Sequence, residues 1–270
     1  MSPIESRPQN TDARRRPPGQ PPTASRVGEA EADWRWLYRI GGLAAAILVV
    51  ATVLHSSVFF VVGLRDDVVG WFGLFSDNPL GGLLAFELLM VGYVVLSVPV
   101  VLALYVALRR ASPSLMAVYI GLSLIGIVGF IVARPAFEML SLSEGYAAAS
   151  IDAERSAYLA AGQATLAVYH GTAFWVSYLL GSIGGLIVAA VMLRTAVFSK
   201  TTGYLRIASS VLDFGLFVPV IGLTISLGSV LCLTVFNVLV ARRLLQLGRG
   251  APAESGRTRP LAAPPVPVTR

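Results

Sequence analysis

Long stretches of this chain carry almost no charge, and the polar residues between them lay out a membrane bundle. A helix needs about 20 apolar residues to cross the hydrocarbon of a bilayer. Ile40 to Leu64 holds no Asp, Glu, Lys or Arg and predicts a first span over residues 37–64. Leu80 to Leu108 is interrupted by Glu87 alone and predicts a second over 80–108. The third and fourth are predicted over 115–133 and 167–193. Tyr204 to Ala241 is too long for one pass, and a break near Pro219 and Gly222 divides it into spans over 204–220 and 223–241. The expected fold is therefore all-α: a polytopic membrane bundle of six transmembrane helices.

Charge orients the bundle. Arg39 and the arginines before it, Arg109 and Arg110, the group Arg194, Lys200 and Arg206, and the run from Arg242 to Arg270 all fall on one side of the six spans. Only Arg65, Arg134 and Arg155 fall on the other, together with Asp66, Asp67, Asp77, Glu138, Glu144, Asp152 and Glu154. Cytoplasmic loops are enriched in Lys and Arg, so both termini are expected in the cytoplasm. The long loop from Pro135 to Thr165, between the third and fourth spans, is then extracytoplasmic. Asp152 could cap a short helix in it, running through Glu154, Tyr158 and Leu159 over the outer mouth of the bundle. Trp71, Phe72 and Tyr169 read as aromatics of the outer interface belt, while Trp175 and Tyr178 lie deeper and could line a cavity.

Composition agrees. The chain has 270 residues, 55% of them hydrophobic and 13% charged, against about 25% charged in soluble domains. Its net charge of +6 would suit nucleic acid, but the basic residues cap apolar runs and crowd the tails, which argues against that partner. The single cysteine, Cys232, excludes a disulfide framework. Lys200 is the only lysine among 21 basic residues. Together with the Ala, Gly and Val content, this suggests a GC-rich bacterial genome and hence the plasma membrane. Residues 1–33 and 247–270 are rich in Pro and Arg and poor in apolar residues. They are expected to be disordered tails that could meet an acidic cytoplasmic protein, flanking a transmembrane domain over 34–246.

Ionisable groups within a membrane are the default functional candidates. Counting about 1.5 Å of helix per residue from the basic inner boundary, His55 lies about 24 Å up, Glu87 about 33 Å, and Arg134 and His170 about 36 Å, with Glu138 one turn beyond Arg134. One reading is a polar pocket opening outward, able to bind a metal ion or to do acid–base work on a lipid or small amphiphile. The other is interfacial anchoring plus a structural ion pair of Arg134 with Glu87 or Glu138. His170 shares a helical face with Phe174, Ser177, Gly181 and Gly185. The small residues of that face allow close helix approach, so His170 is expected to point inward. Nearer the cytoplasm, Asp213 and Asn237 are expected at similar depths as an intramembrane polar pair. Two histidines without an HxxxH or HExxH spacing make no metal motif, and no cofactor is implied.

Three segments carry a resemblance: ALYVALRR from Ala103 to Arg110, RPAFEMLSLSEGYAAASIDAERSAYLAAG from Arg134 to Gly162, and YHGTAFWVSYLLGSIGG from Tyr169 to Gly185. Over about residues 35 to 246 the chain resembles the bacterial membrane family catalogued as domain of unknown function 4386. The resemblance implies a six-helix integral membrane protein with no assigned activity. From the residues, the leading expectation is a module that binds or senses a lipid or small hydrophobic ligand in the outer half of the bundle. A small transporter or transporter subunit is the first alternative. The second is a membrane-embedded lipid-modifying enzyme with Glu87 or Glu138 beside a histidine.

Overall fold

The computed structural model describes residues 24–63, 65–86, 88–218 and 222–250. Glu87 lies outside them, as does Pro219, the expected break. Among the described residues the chain is all-helical. In order come α1 (Ala24–Val62), α2 (Val68–Asp77), α3 (Pro79–Ala85), α4 (Leu88–Leu108) and α5 (Pro113–Val132). There follow α6 (Ala136–Ala148), α7 (Asp152–Tyr169), α8 (Thr172–Leu193), α9 (Lys200–Asp213), a 3₁₀ turn (Phe214–Phe217) and α10 (Gly222–Gly248). Among the described residues, five helical segments, carrying α1, α4, α5, α8 and α10, are long and apolar enough to cross a membrane.

These five helices present apolar side chains outward. Val61 is 84% exposed and Leu231 72%, and Ile47, Val50, Val53, Ile125 and Val128 are exposed with them. A water-soluble surface does not carry so continuous an apolar face; lipid accepts it. The interior is packed by Leu48, Leu104, Leu108, Met116, Met192, Val240 and Leu244. α1 lies against α10 and α4, α5 lies against α8, and α9 fits between α8 and α10.

Contacts fix which ends meet. Arg39 Nε donates to the Gly248 carbonyl at 3.0 Å. The Arg109 guanidinium lies 4.8 Å from the Trp34 ring centroid. Arg243 Nε donates to the Val197 carbonyl at 2.6 Å. The start of the apolar part of α1, the α4–α5 turn, the α8–α9 turn and the end of α10 therefore share one end of the bundle, and that end is basic. At the opposite end Trp175 at the head of α8 packs on Phe217, with ring centroids 5.1 Å apart.

Several expected boundaries move. Helix α1 already begins at Ala24, inside the segment expected to be a disordered tail. The sequence EAEADWRW holds no helix breaker, and a helix anchored downstream propagates cheaply through it. The second span is divided into α3 and α4, and the fourth begins at Thr172 because the helix breaks at His170 and Gly171. The fifth differs most: α9 has 14 residues, about 21 Å of helix. Four residues of 3₁₀ turn, each rising about 2 Å, extend it toward the far end.

The far end carries a second core that sequence patterning did not foresee. Trp71, Phe72 and Phe75 of α2 pack with Phe86, Met139 of α6 and Tyr169 at the end of α7. Trp71, Phe72 and Tyr169 are thus buried, not lipid-interface residues. The short helices are made by local chemistry. Asp67 Oδ1 accepts from the Gly70 amide at 2.7 Å and Asn78 Oδ1 from the Gly81 amide at 2.9 Å, capping α2 and α3. Ser143 Oγ donates to the Phe72 carbonyl at 3.0 Å and ties α6 to α2. Asp152 is the first residue of α7 and not its cap. Arg134 bolts this cap to the bundle. Buried, it donates to the Ala133 and Tyr169 carbonyls at 3.1 Å. Its guanidinium also lies 4.3 Å from the Phe130 and Tyr169 centroids and 4.6 Å from that of Phe174.

The α1–α4 seam supplies a test of the packing. A Cβ added at Gly41 would lie 2.6 Å from Ala103 Cβ and 2.9 Å from the Pro99 carbonyl oxygen. Since backbone cannot step aside, Gly41→Ala should destabilise the bundle by about 1–3 kcal/mol. Titration with SDS should show an earlier loss of folded protein, and an unchanged midpoint would contradict the packing.

Candidate functional site

Between α1, α4, α5, α8, α9 and α10 lies a cavity of about 400 Å³. Its walls are mostly apolar, from Leu48, Met90, Val100, Leu104, Ile127 and Leu233. Polar groups punctuate them: Thr52, His55 and Ser56 from α1, Tyr93 and Ser97 from α4, Tyr119 and Ser123 from α5, and Ser177 and Ser182 from α8. Arg206 and Asp213 enter from α9, and Ser229 and Asn237 from α10.

Helix periodicity explains how the two charges come to face it. At 100° per residue, Arg206, Ser209, Ser210 and Asp213 fall within about a third of a turn on α9. The opposite face carries Tyr204, 62% exposed, and Val211, 55% exposed. The helix is amphipathic with its polar side inward, the only arrangement in which hydrocarbon outside would not strip those groups of partners.

Arg206 reaches across the α8–α9 seam and donates from Nη2 to the Gly181 carbonyl at 3.3 Å. Its guanidinium lies 5.6 Å from the Phe236 ring centroid. Gly185 makes room for it: a Cβ there would meet Arg206 Nη2 at 2.5 Å and Nε at 2.6 Å, and would collide with the Ser210 hydroxyl. Asp213, two turns along, faces Ser229 of α10 and is attracted by Arg206 at longer range. Asn237 Nδ2 donates to the Tyr93 hydroxyl at 3.3 Å, with Thr52 beside it. Tyr119 bonds Ser123. Three buried hydroxyls, those of Ser182, Ser209 and Ser210, have no hydrogen-bond partner among the described residues.

The expected site residues that are described take different positions. His55 lines the cavity. Arg134 is buried in its aromatic cage between cap and bundle. Glu138 is exposed in the first turn of α6. His170, expected to point inward, is exposed and stacks edge-on against Tyr169 at 4.7 Å. The reason is local. His170 caps α7, and Gly171 starts a new helix, so the register that linked His170 to Phe174 is broken. The rest of that face divides its work. Ser177 meets α5, with its carbonyl oxygen 3.3 Å from a Cβ added at Gly126. Gly185 admits Arg206, and a Cβ at Gly181 would meet no atom within 4 Å. Asp213 and Asn237 share the cavity but take different partners. Asp213 sits level with Ser229, about 12 Å of helix from Asn237. Among the described residues no three His, Cys, Asp or Glu side chains gather in a metal-binding cluster.

Arg206, Tyr93, Tyr119 and Ser182 were not singled out by sequence reasoning. Arg206 reads there as one more basic residue of an inner turn. The signal that could have found it is the inverted amphipathicity of α9, with Arg206 on the side of Ser210 and Asp213, opposite Tyr204 and Val211.

Two substitutions separate packing from exposure. Gly185→Ala should displace the Arg206 side chain and cost about 1–3 kcal/mol through overpacking. His170→Ala, at an exposed position, should change stability by no more than about 0.5 kcal/mol. SDS titration of both variants checks the order, and equal losses would contradict these placements.

Comparison with protein-family models, with curated proteins and with solved structures yields no match.

Proposed function

We propose that this chain is a multi-pass protein of a bacterial plasma membrane that binds a small amphiphile in the cavity of its bundle and senses it there. The carrying observation is a cavity of about 400 Å³, within the roughly 300–1,000 Å³ of small-molecule sites, with mostly apolar walls and a few convergent polar groups. The leading expectation placed the ligand in the outer half of the bundle. The cavity reaches deeper, from His55 and Phe60 down to Arg206 and Asn237.

The topology belongs to the same proposal. α9 and its 3₁₀ turn form a sixth crossing that relies on its neighbours rather than on its own hydropathy. Both termini are then cytoplasmic, and the cap of α2, α3, α6 and α7 stands outside. The basic end supports this through Arg39, Arg109 and Arg243, since such residues stay inside. The exposed acids Asp66, Asp67, Glu144 and Glu154 lie in or beside the cap. Membership of the bacterial family that residues 35–246 resemble is part of the reading. Partners reached through the tails would act on segments largely outside the described residues.

A transport reading draws on one observation, that His55 and Asp213 line a single cavity. A lipid-modifying enzyme draws less support, because Glu138 and His170 are exposed.

Gly181 gives the direct test. Gly181→Leu grows a side chain into the cavity, whereas Gly181→Ala adds one methyl with no clash. Mass spectrometry of gently purified protein should find a co-purifying amphiphile with wild type and Gly181→Ala, and lose it with Gly181→Leu. Retention of the same amphiphile by Gly181→Leu would end the cavity reading. For topology, in a Cys232→Ser background, Asp66→Cys should react with a membrane-impermeant maleimide in intact cells. Arg110→Cys should react only after permeabilisation, and the reverse pattern would invert the molecule.

A further inference from the structure

We infer that the cavity selects a single-chain amphiphile with one carboxylate head, held by Arg206 and Ser182 at the α8–α9 seam. The inference rests on the cavity-binding reading above and names its ligand class. Two independent observations carry it. The first is the state of Arg206. A guanidinium offers five N–H donors in a planar fork. Arg206 spends one on the Gly181 carbonyl at 3.3 Å, the long end of the hydrogen-bond range. Among the described residues it makes no other hydrogen bond and no ion pair. The second is Ser182, 2% exposed, lining the same cavity, with a hydroxyl that has no partner. A buried polar atom left unsatisfied is uncommon, and a ligand oxygen is what these two donors lack.

The rest of the cavity sets the class. Below the outer mouth its walls are aliphatic, suited to a hydrocarbon tail lying along α1 and α4. Asp213 shares the cavity and repels a second negative charge, which favours a monoanionic head over a phosphate monoester. The head then takes up the spare donors of Arg206, while the Asp213 carboxylate stays beside Ser229.

The test uses full-length protein in nanodiscs and a palmitic acid bearing a diazirine near its chain end. The matched hexadecanol and hexadecyl phosphate probes are run alongside. Labelling yield against probe concentration gives half-saturation, and peptide mapping should place the adduct on cavity-lining helices. Arg206→Gln should raise the half-saturating concentration of the acid tenfold or more and leave that of the alcohol unchanged. Ser182→Ala should raise it about threefold without lowering stability, since it removes a hydroxyl that bonds nothing in the protein. The phosphate probe should bind more weakly than the acid. If acid and alcohol label alike and neither variant moves the acid, the carboxylate subsite is wrong while the cavity reading stands. If Gly181→Leu leaves labelling by every probe intact, the cavity reading fails and takes this one with it. If millimolar acetate protects as well as unlabelled palmitate, the ligand is a free carboxylate and the amphiphile is excluded. Should Arg206→Gln not accumulate, an unchanged half-saturation in Ser182→Ala overturns the proposal.

Discussion

A charged side chain among apolar helices has few tolerable directions, and the α9 helix shows the consequence. Arg206 and Asp213 stand two turns apart on one face, so both turn inward together or neither does. Inward is where both find partners, at the Gly181 carbonyl and beside Ser229. With both turned inward, α8 must give up side-chain volume at Gly185 to admit the guanidinium, and α10 must offer Ser229 to the carboxylate. The space between the six packed helices then cannot close as an aliphatic core would, because polar atoms with unspent bonding capacity line it.

The same constraint separates two kinds of packing. Where no charge intrudes, as between α1 and α4, backbones approach until Gly41 touches Ala103. Where Arg134 intrudes, three aromatic rings and two carbonyls surround it. Each ring adds about 0.5–2 kcal/mol to a desolvated cation. Arg134 is therefore a mechanical fastening between bundle and cap, whereas Arg206 keeps donors to spare.

Hydropathy made the existence of the apolar helices legible and some of their ends, because a run such as Leu115 to Ala133 has no other reading. It failed where the determinant is not local. The cap needed Trp71, Phe72, Phe86 and Tyr169 to find one another across the chain, and nothing in their spacing announces that. His170 was misplaced because one helix was drawn through a break that Gly171 permits. Within the site, His55 was legible as a lone imidazole in an apolar run. Arg206 was not, since a basic residue near a turn looks like an orientation signal until the inward face of α9 is known.

The two cores also differ in what holds them together. With the cap outside the bilayer, as proposed, its core around Phe72 and Phe86 is closed by the release of water from apolar surface, a force that weakens on cooling. The bundle core around Leu48 and Leu244 has no water to release, and coheres through dispersion and interhelical bonds. Denaturant and temperature therefore act on the two halves through different heat capacities. The two halves then need not melt together, and Arg134, which contacts both, sits where they meet.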